Sequence, residues 1–139
     1  MYDHVLVATD GSDHATTAAT HAIDVAARYG ATLHALYVIE TRTAYDNAIV
    51  NPDQVRENFR EAGEEAITAI ESRARDADVQ VQTAIEEGVP GEEILAYIET
   101  HDIDCVYVGE RGHSSFKTIL LGSTTERVLH GIDIPVTIV

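Results

Sequence analysis

An open α/β sheet of parallel strands, with helices on both faces, is the fold class this chain predicts. Three observations carry the prediction. Short apolar runs alternate with segments of helical period from one end to the other. Most of the runs are continuously apolar, as strands covered on both faces are. The first and fourth runs end in polar turns that contain glycine, the place where such sheets bind ligands.

His4-Val5-Leu6-Val7-Ala8 is the first strand, and it ends on Thr9-Asp10-Gly11-Ser12. Ser12 suits the N-cap of the next segment. There Ala15, Ala18, Ala22, Val25, Ala26 and Tyr29 recur at helical spacing, and Gly30 supplies the stop. So small an alanine face lets a helix sit close on a sheet. Thr32 to Val38 reads as the second strand. Ile39 to Asn51 has no clear period, which at that length marks a functional or mobile loop.

Pro52 is a natural first helical residue. From it Val55, Phe59, Ala62, Ala66, Ile70 and Ala74 form an apolar stripe, with Arg56, Arg60, Glu61, Glu64, Glu65 and Glu71 opposite. Val79 to Ile85 alternates, as a half-exposed edge strand does. Gly91 to His101 predicts a helix with Ile94, Leu95 and Ile98 inward, and Asp104 to Val108 a fourth strand. Ser123 to His130 predicts the last helix, opened by the capping box Ser123-x-x-Glu126 and closed by Gly131. Pro135 to Val139 is the fifth strand. No repeat, low-complexity tract or linker interrupts the chain, so residues 1–139 read as a single domain.

The totals agree. A chain of 139 residues, 45% apolar and 24% charged, suits one globular domain. No window approaches the ~18 apolar residues of a membrane span. Met1-Tyr2-Asp3-His4-Val5 lacks the basic start of a signal peptide, so the expected location is cytoplasmic. The net charge of −15 repels nucleic acid and anionic membrane, and neither is expected as a partner. The acid is spread along the chain rather than packed in a tail, which predicts a folded acidic surface. Adaptation to high salt explains such a surface, because at ~1 M salt the Debye length is only about 3 Å. Cys105 is the single cysteine and lies in an apolar run, so it reads as a buried structural thiol.

Ligands of doubly wound sheets bind beyond the carboxyl ends of the strands, where strand order reverses. If the first strand is central, that crevice opens between Thr9-Asp10-Gly11 and Gly109-Glu110-Arg111-Gly112. The chemistry there suits a nucleotide. Gly109 and Gly112 let backbone N–H groups close on phosphate oxygens. Ser123 and Thr124 open a helix whose free N–H groups and dipole attract an anion. Arg111 and His113 add local positive charge, and Asp10 suits the hydroxyls of a ribose. Each of these residues also has a plainer reading. The glycines and the Asp10-Gly11 pair are common in turns, Ser123 caps a helix, and Arg111 and Lys117 are ordinary surface charges. His4, His14, His21, His34, His101 and His130 read as surface or core residues with no metal spacing. No Walker loop, GxGxxG, GxSxG or HExxH motif is present.

Taken together, these stretches resemble the universal stress protein family over essentially the full length. Val5 to Ser12 is similar to the family's opening strand and turn, and Pro135 to Val139 to its closing strand. Gly109-x-x-Gly112, nine residues, then Gly122-Ser123 resembles the signature of its ATP-binding branch. The resemblance implies a Rossmann-like, adenine-nucleotide α-hydrolase-like sheet in the order 3-2-1-4-5. It implies ATP, with Mg²⁺, as the ligand. Thr9 and Asp10 would lie near adenine and ribose, with the Val38 backbone at the adenine edge. Gly109, Gly112, Gly122, Ser123 and Thr124 would hold the phosphates. It also implies homodimers through the last strand. Independently, Pro135 to Val139 would form an apolar edge that needs a partner. Two positions depart from the pattern. Glu110 replaces a small hydroxyl residue, so its carboxylate repels phosphate, points outward or helps hold Mg²⁺. Thr124 replaces a small aliphatic residue.

The expected function is ATP binding in cellular stress response, exercised by nucleotide binding and dimer-mediated interactions. No residue reads as catalytic or as a protein metal ligand. Glu110 and His113 are the only local candidates for slow hydrolysis. A nucleotide-free dimeric interaction module, or a slow ATPase or adenylating enzyme, remains as an alternative.

Overall fold

The structure is a computed structural model and describes residues 2–40, 52–109 and 132–139. The elements are β1 (His4–Thr9), α1 (Asp13–Tyr29), β2 (Thr32–Glu40), α2 (Pro52–Asp76), β3 (Val81–Gly88), α3 (Pro90–Thr100), β4 (Cys105–Val108) and β5 (Val136–Ile138). All strand pairs are parallel and the order is β3-β2-β1-β4-β5. The expected fold class and strand order are therefore those observed. The helix expected over Ser123 to His130 lies outside the described residues.

Alternate residues of each strand face opposite sides of the sheet, which creates two cores. Val5, Val7, Leu33 and Ala35 pack with the alanine face of α1 and with Ile70 and Ala74 of α2. Leu6, Ala8, Leu36, Val38, Val106 and Val108 pack with Ile94, Tyr97 and Ile98 of α3. The central strand β1 is buried from Val5 to Thr9, which is why its run is apolar throughout.

Local chemistry sets the helix ends. The Ser12 hydroxyl accepts the Ala15 N–H at 3.3 Å and caps α1, and Gly30 ends it. Pro52 opens α2, and Pro90 opens α3. Asp104 ties the start of β1 to the start of β4, its Oδ2 accepting the backbone N–H groups of Asp3 and His4 at 2.7 and 2.8 Å.

Several sequence expectations shift. β2 continues through Ile39 and Glu40, which pair with Glu87 and Gly88 of β3 and so do not belong to a loop. Residues 41–51 of that expected loop lie outside the described residues. β3 starts two residues later than expected, because Val79 donates its N–H to the Ala74 carbonyl and is held by the turn that follows α2. The buried stripe of α2 is Gly63, Ile67, Ile70 and Ala74, whereas Ala62 and Phe59 are exposed. Gly63 decides that phase. A Cβ there would meet Tyr37 Cδ1 at 2.7 Å, so the helix crosses β2 with its glycine against the tyrosine ring. Tyr29, expected inward on α1, is half exposed and meets Tyr2 edge to face at 5.0 Å. In α3, Tyr97 takes an inward position and Leu95 only a partial one.

Candidate functional site

β1 is flanked by β2 on one side and β4 on the other, so the strand order reverses about it. The crevice of a doubly wound sheet opens at the carboxyl end of such a strand. Thr9 is the last residue of β1, pairs in register with Tyr37 and is 2% exposed. Asp10 follows at 9% exposed. Ala8 pairs with Val108, so Gly109 leaves β4 beside the Thr9-Asp10 turn.

The turn is built from its own side chains. Thr9 Oγ1 accepts the Gly11 N–H at 3.1 Å, and Asp10 Oδ1 accepts the Ser12 N–H at 2.9 Å. Gly11 has φ 82°, a left-handed conformation that glycine reaches without a Cβ clash. With Ser12 capping α1, three side-chain oxygens hold the backbone donors of Gly11, Ser12 and Ala15. This arrangement fixes the Asp10 carboxylate in a nearly dry setting at the head of α1.

Gly109 has a structural task that the sequence reading did not assign. A Cβ at Gly109 would stand 2.8 Å from the Ala15 nitrogen and from the His14 carbonyl carbon, and 3.0 Å from His14 Cβ. The absent side chain lets the exit of β4 lie directly on the first turn of α1. Val38 is buried on the α3 side of the sheet and pairs with Glu86. The structure thus gathers Thr9, Asp10 and Gly109 at one end of the sheet, with Val38 one strand away on β2. Arg111, Gly112, His113, Gly122, Ser123 and Thr124, and the departure at Glu110, lie outside the described residues.

Tyr37 is a neighbour that sequence reasoning passed over. It is buried beside Thr9, and its hydroxyl is pushed above its ordinary pKa by burial first and by the Asp10 carboxylate second. A lone tyrosine in an aliphatic strand, with a glycine placed to meet it in α2, was the available signal. Cys105 is buried, and its thiol is pushed up to about 11 by burial and by Asp104, so it is no nucleophile at neutral pH. Among the described residues no group of three or more histidine, cysteine or carboxylate side chains is arranged to hold a metal ion. No helix among them is long and apolar enough to cross a membrane.

Comparison with known proteins places this geometry in a family. The family model described as "Universal stress protein family" matches residues 1–139. Universal stress protein MJ0531 of Methanocaldococcus jannaschii is 33% identical over 140 residues, covering 100% of this chain and 82% of that protein. Among solved structures, MJ0577 of the same organism superposes with a TM-score of 0.83, at 28% identity over 100% of this chain and 96% of the other. A universal stress protein solved in complex with cAMP shares the fold, with a TM-score of 0.73 at 23% identity over 99% and 97% of the two chains. The sheet order, the site at its switch point and the full-length match agree: the chain belongs to the universal stress protein family.

Proposed function

We propose that this protein binds ATP and acts in cellular stress response by holding the nucleotide rather than turning it over. The observation that carries the reading is the meeting of Thr9-Asp10 and Gly109 at the carboxyl ends of the adjacent strands β1 and β4. Asp10 supplies an acceptor of the kind a ribose hydroxyl needs, and its turn holds it in place before any ligand arrives. The spacing of Gly109, Gly112, Gly122 and Ser123 supports a phosphate cradle completed by Arg111, His113 and Thr124. ATP would bring the anionic phosphates, accompanied by Mg²⁺, and the protein would bring donors and a shaped, dry wall. At the level of the fold, a neighbour with this architecture is known in complex with a nucleotide, cAMP. The proposed assembly is a homodimer through Pro135 to Val139, within the single domain 1–139 of a cytoplasmic protein. Titration calorimetry with ATP and Mg²⁺ tests the reading. Heat of binding that disappears in Gly122→Val is the expected result, and no heat with the native protein rejects it.

A second reading is a nucleotide-free interaction module. It is favoured by the turn itself, where Thr9, Asp10 and Ser12 each already accept a backbone N–H and Gly109 is accounted for by packing on α1. Acid release of co-purifying material, read by absorbance near ~260 nm, separates the two. Nucleotide in the supernatant supports the first, and its absence together with a silent titration supports the second.

A further inference from the structure

The pole of the sheet opposite the Thr9-Asp10 turn holds three histidines around a buried tyrosine. His4 opens β1. His34 lies on β2, in register with Leu6 of β1 and Gln82 of β3. Tyr97 is in the last turns of α3, and His101 is its C-cap. His34 is 1% exposed. Its Nε2 lies 3.1 Å from His4 Nδ1, and its Nδ1 lies 2.7 Å from the Tyr97 hydroxyl. The His101 ring stacks on Tyr97 with centroids 3.8 Å apart and reaches within 5.7 Å of the His34 ring. One chain of contacts therefore joins β1, β2 and α3.

Proton counting shows what this chain tolerates. A neutral imidazole has one N–H donor and one acceptor nitrogen. Either His34 Nε2–H donates to His4 while Nδ1 accepts from Tyr97, or His4 donates to Nε2 while Nδ1–H donates to the Tyr97 oxygen. Both polarities satisfy every contact. Charging His4 and His34 together does not, because two N–H donors would face each other across 3.1 Å. A charged His101 would add a third like charge beside them. The other ionisable groups facing the cluster are Glu86 of β3, near Tyr97, and Asp104 before β4, whose carboxylate is engaged by the backbone N–H groups of Asp3 and His4. Among the described residues, no carboxylate is hydrogen-bonded to any of the three rings.

We propose that this cluster is an acid-released latch: with its rings uncharged it fastens the starts of β1 and β2 to the end of α3, and proton uptake unfastens that pole. The electrostatics agree in sign. Burial first, then His4 and His101, hold the closed His34 ring down to about 4 from its ordinary 6.5. An opened, solvated ring returns to 6.5 and takes up a proton on opening. Acid therefore favours the open pole between pH 6.5 and about 4 and has no such effect above that interval.

Amide hydrogen exchange, corrected for the intrinsic pH dependence, reads the latch directly. The Ile103 and Asp104 amides, bonded to Ile98 and His4 carbonyls, report on the pole, and the amide of buried Ala8, in register with Leu36 and Val108, reports on β1 beyond it. Lowering the pH from about 7.5 to about 5 is expected to reduce protection at the pole by about thirtyfold, as that pKa interval requires, while Ala8 stays protected. His34→Leu should remove the loss. Unchanged pole protection, an equal loss in His34→Leu, or a parallel loss at Ala8 would each overturn the latch. Should the variant fail to fold, ring C–H titration of the native protein decides: a His34 midpoint near ~6.5 in the closed state ends the proposal, and a ring still neutral at about pH 5 upholds it.

Discussion

Gly109 rests on the backbone of Ala15, with room for a hydrogen atom but none for a methyl group. The contact joins the exit of β4 to the head of α1, so the same glycine that the sequence offers to a ligand is already required by the fold. Both obstructing atoms nearest the missing Cβ are backbone, the Ala15 nitrogen and the His14 carbonyl carbon, and neither can swing aside as a long side chain would. Gly109→Ala should therefore lower stability by about 1–3 kcal/mol, the usual cost of overpacking. Urea unfolding monitored by circular dichroism checks it. A midpoint equal to the native one would mean that β4 and α1 separate freely.

Asp10 has a structural job and, in the proposed function, a separable binding one. Its Oδ1 accepts the Ser12 N–H, and its negative charge is what the proposal offers to a nucleotide. Asp10→Asn keeps an acceptor oxygen and removes the charge. It should leave the unfolding midpoint almost unchanged while weakening ATP binding about tenfold or more, as loss of a charge-assisted hydrogen bond does. Asp10→Ala removes both and should also cost about 1 kcal/mol of stability. Equal ATP affinity in native protein and Asp10→Asn would take the carboxylate out of the site.

The sheet was legible because its strands are apolar runs and its helices begin at caps that act within a few residues. Ser12, Gly30 and Pro52 work on their immediate neighbours, and a local pattern shows them. The place of Thr9 and Asp10 at the switch point was legible for the same reason, since the turn after a central strand has a fixed place in the topology. What escaped was contact between elements distant in sequence. Gly63 sets the phase of α2 only because Tyr37 lies beneath it, and an apolar stripe counted along the helix gives Ala62 the weight that belongs to Gly63. Likewise His34 reads as one ordinary histidine among seven until β1 and α3 bring His4 and Tyr97 to its two nitrogens. Ile39 and Glu40 were assigned to a loop because their strand character comes from pairing with β3, not from their own order.

The described surface carries exposed acid on every helix, and on α2 Glu61, Glu64 and Glu65 lie exposed close together. The ion pairs of this region are solvated: Arg60 reaches Glu64 at 3.9 Å and Arg56 reaches Glu87 at 3.5 Å, and such pairs contribute little each. With a net charge of −15, the uncompensated repulsion should dominate in dilute buffer. Thermal unfolding in KCl from about 0.1 M to about 2 M should give a midpoint that climbs steeply at first, as the Debye length falls from about 10 Å toward 3 Å. Full stability in dilute buffer, with no rise on adding salt, would refute an adaptation to high salt.

β5 ends the sheet. It pairs with β4 through Val136, Thr137 and Ile138, and the strand order continues no further among the described residues. Ile138 is 49% exposed, although β-branched apolar residues favour covered strands. An apolar edge strand is a template for a second chain, and a charge placed on it is the usual means of preventing that pairing. Ile138→Lys should therefore shift the proposed dimer to monomer without changing the far-ultraviolet spectrum. Sedimentation velocity at matched concentrations of both proteins reads the result. A variant that still sediments as a dimer would move the interface to another face of the molecule, while a native protein that sediments as a monomer would show that β5 is an edge without a partner.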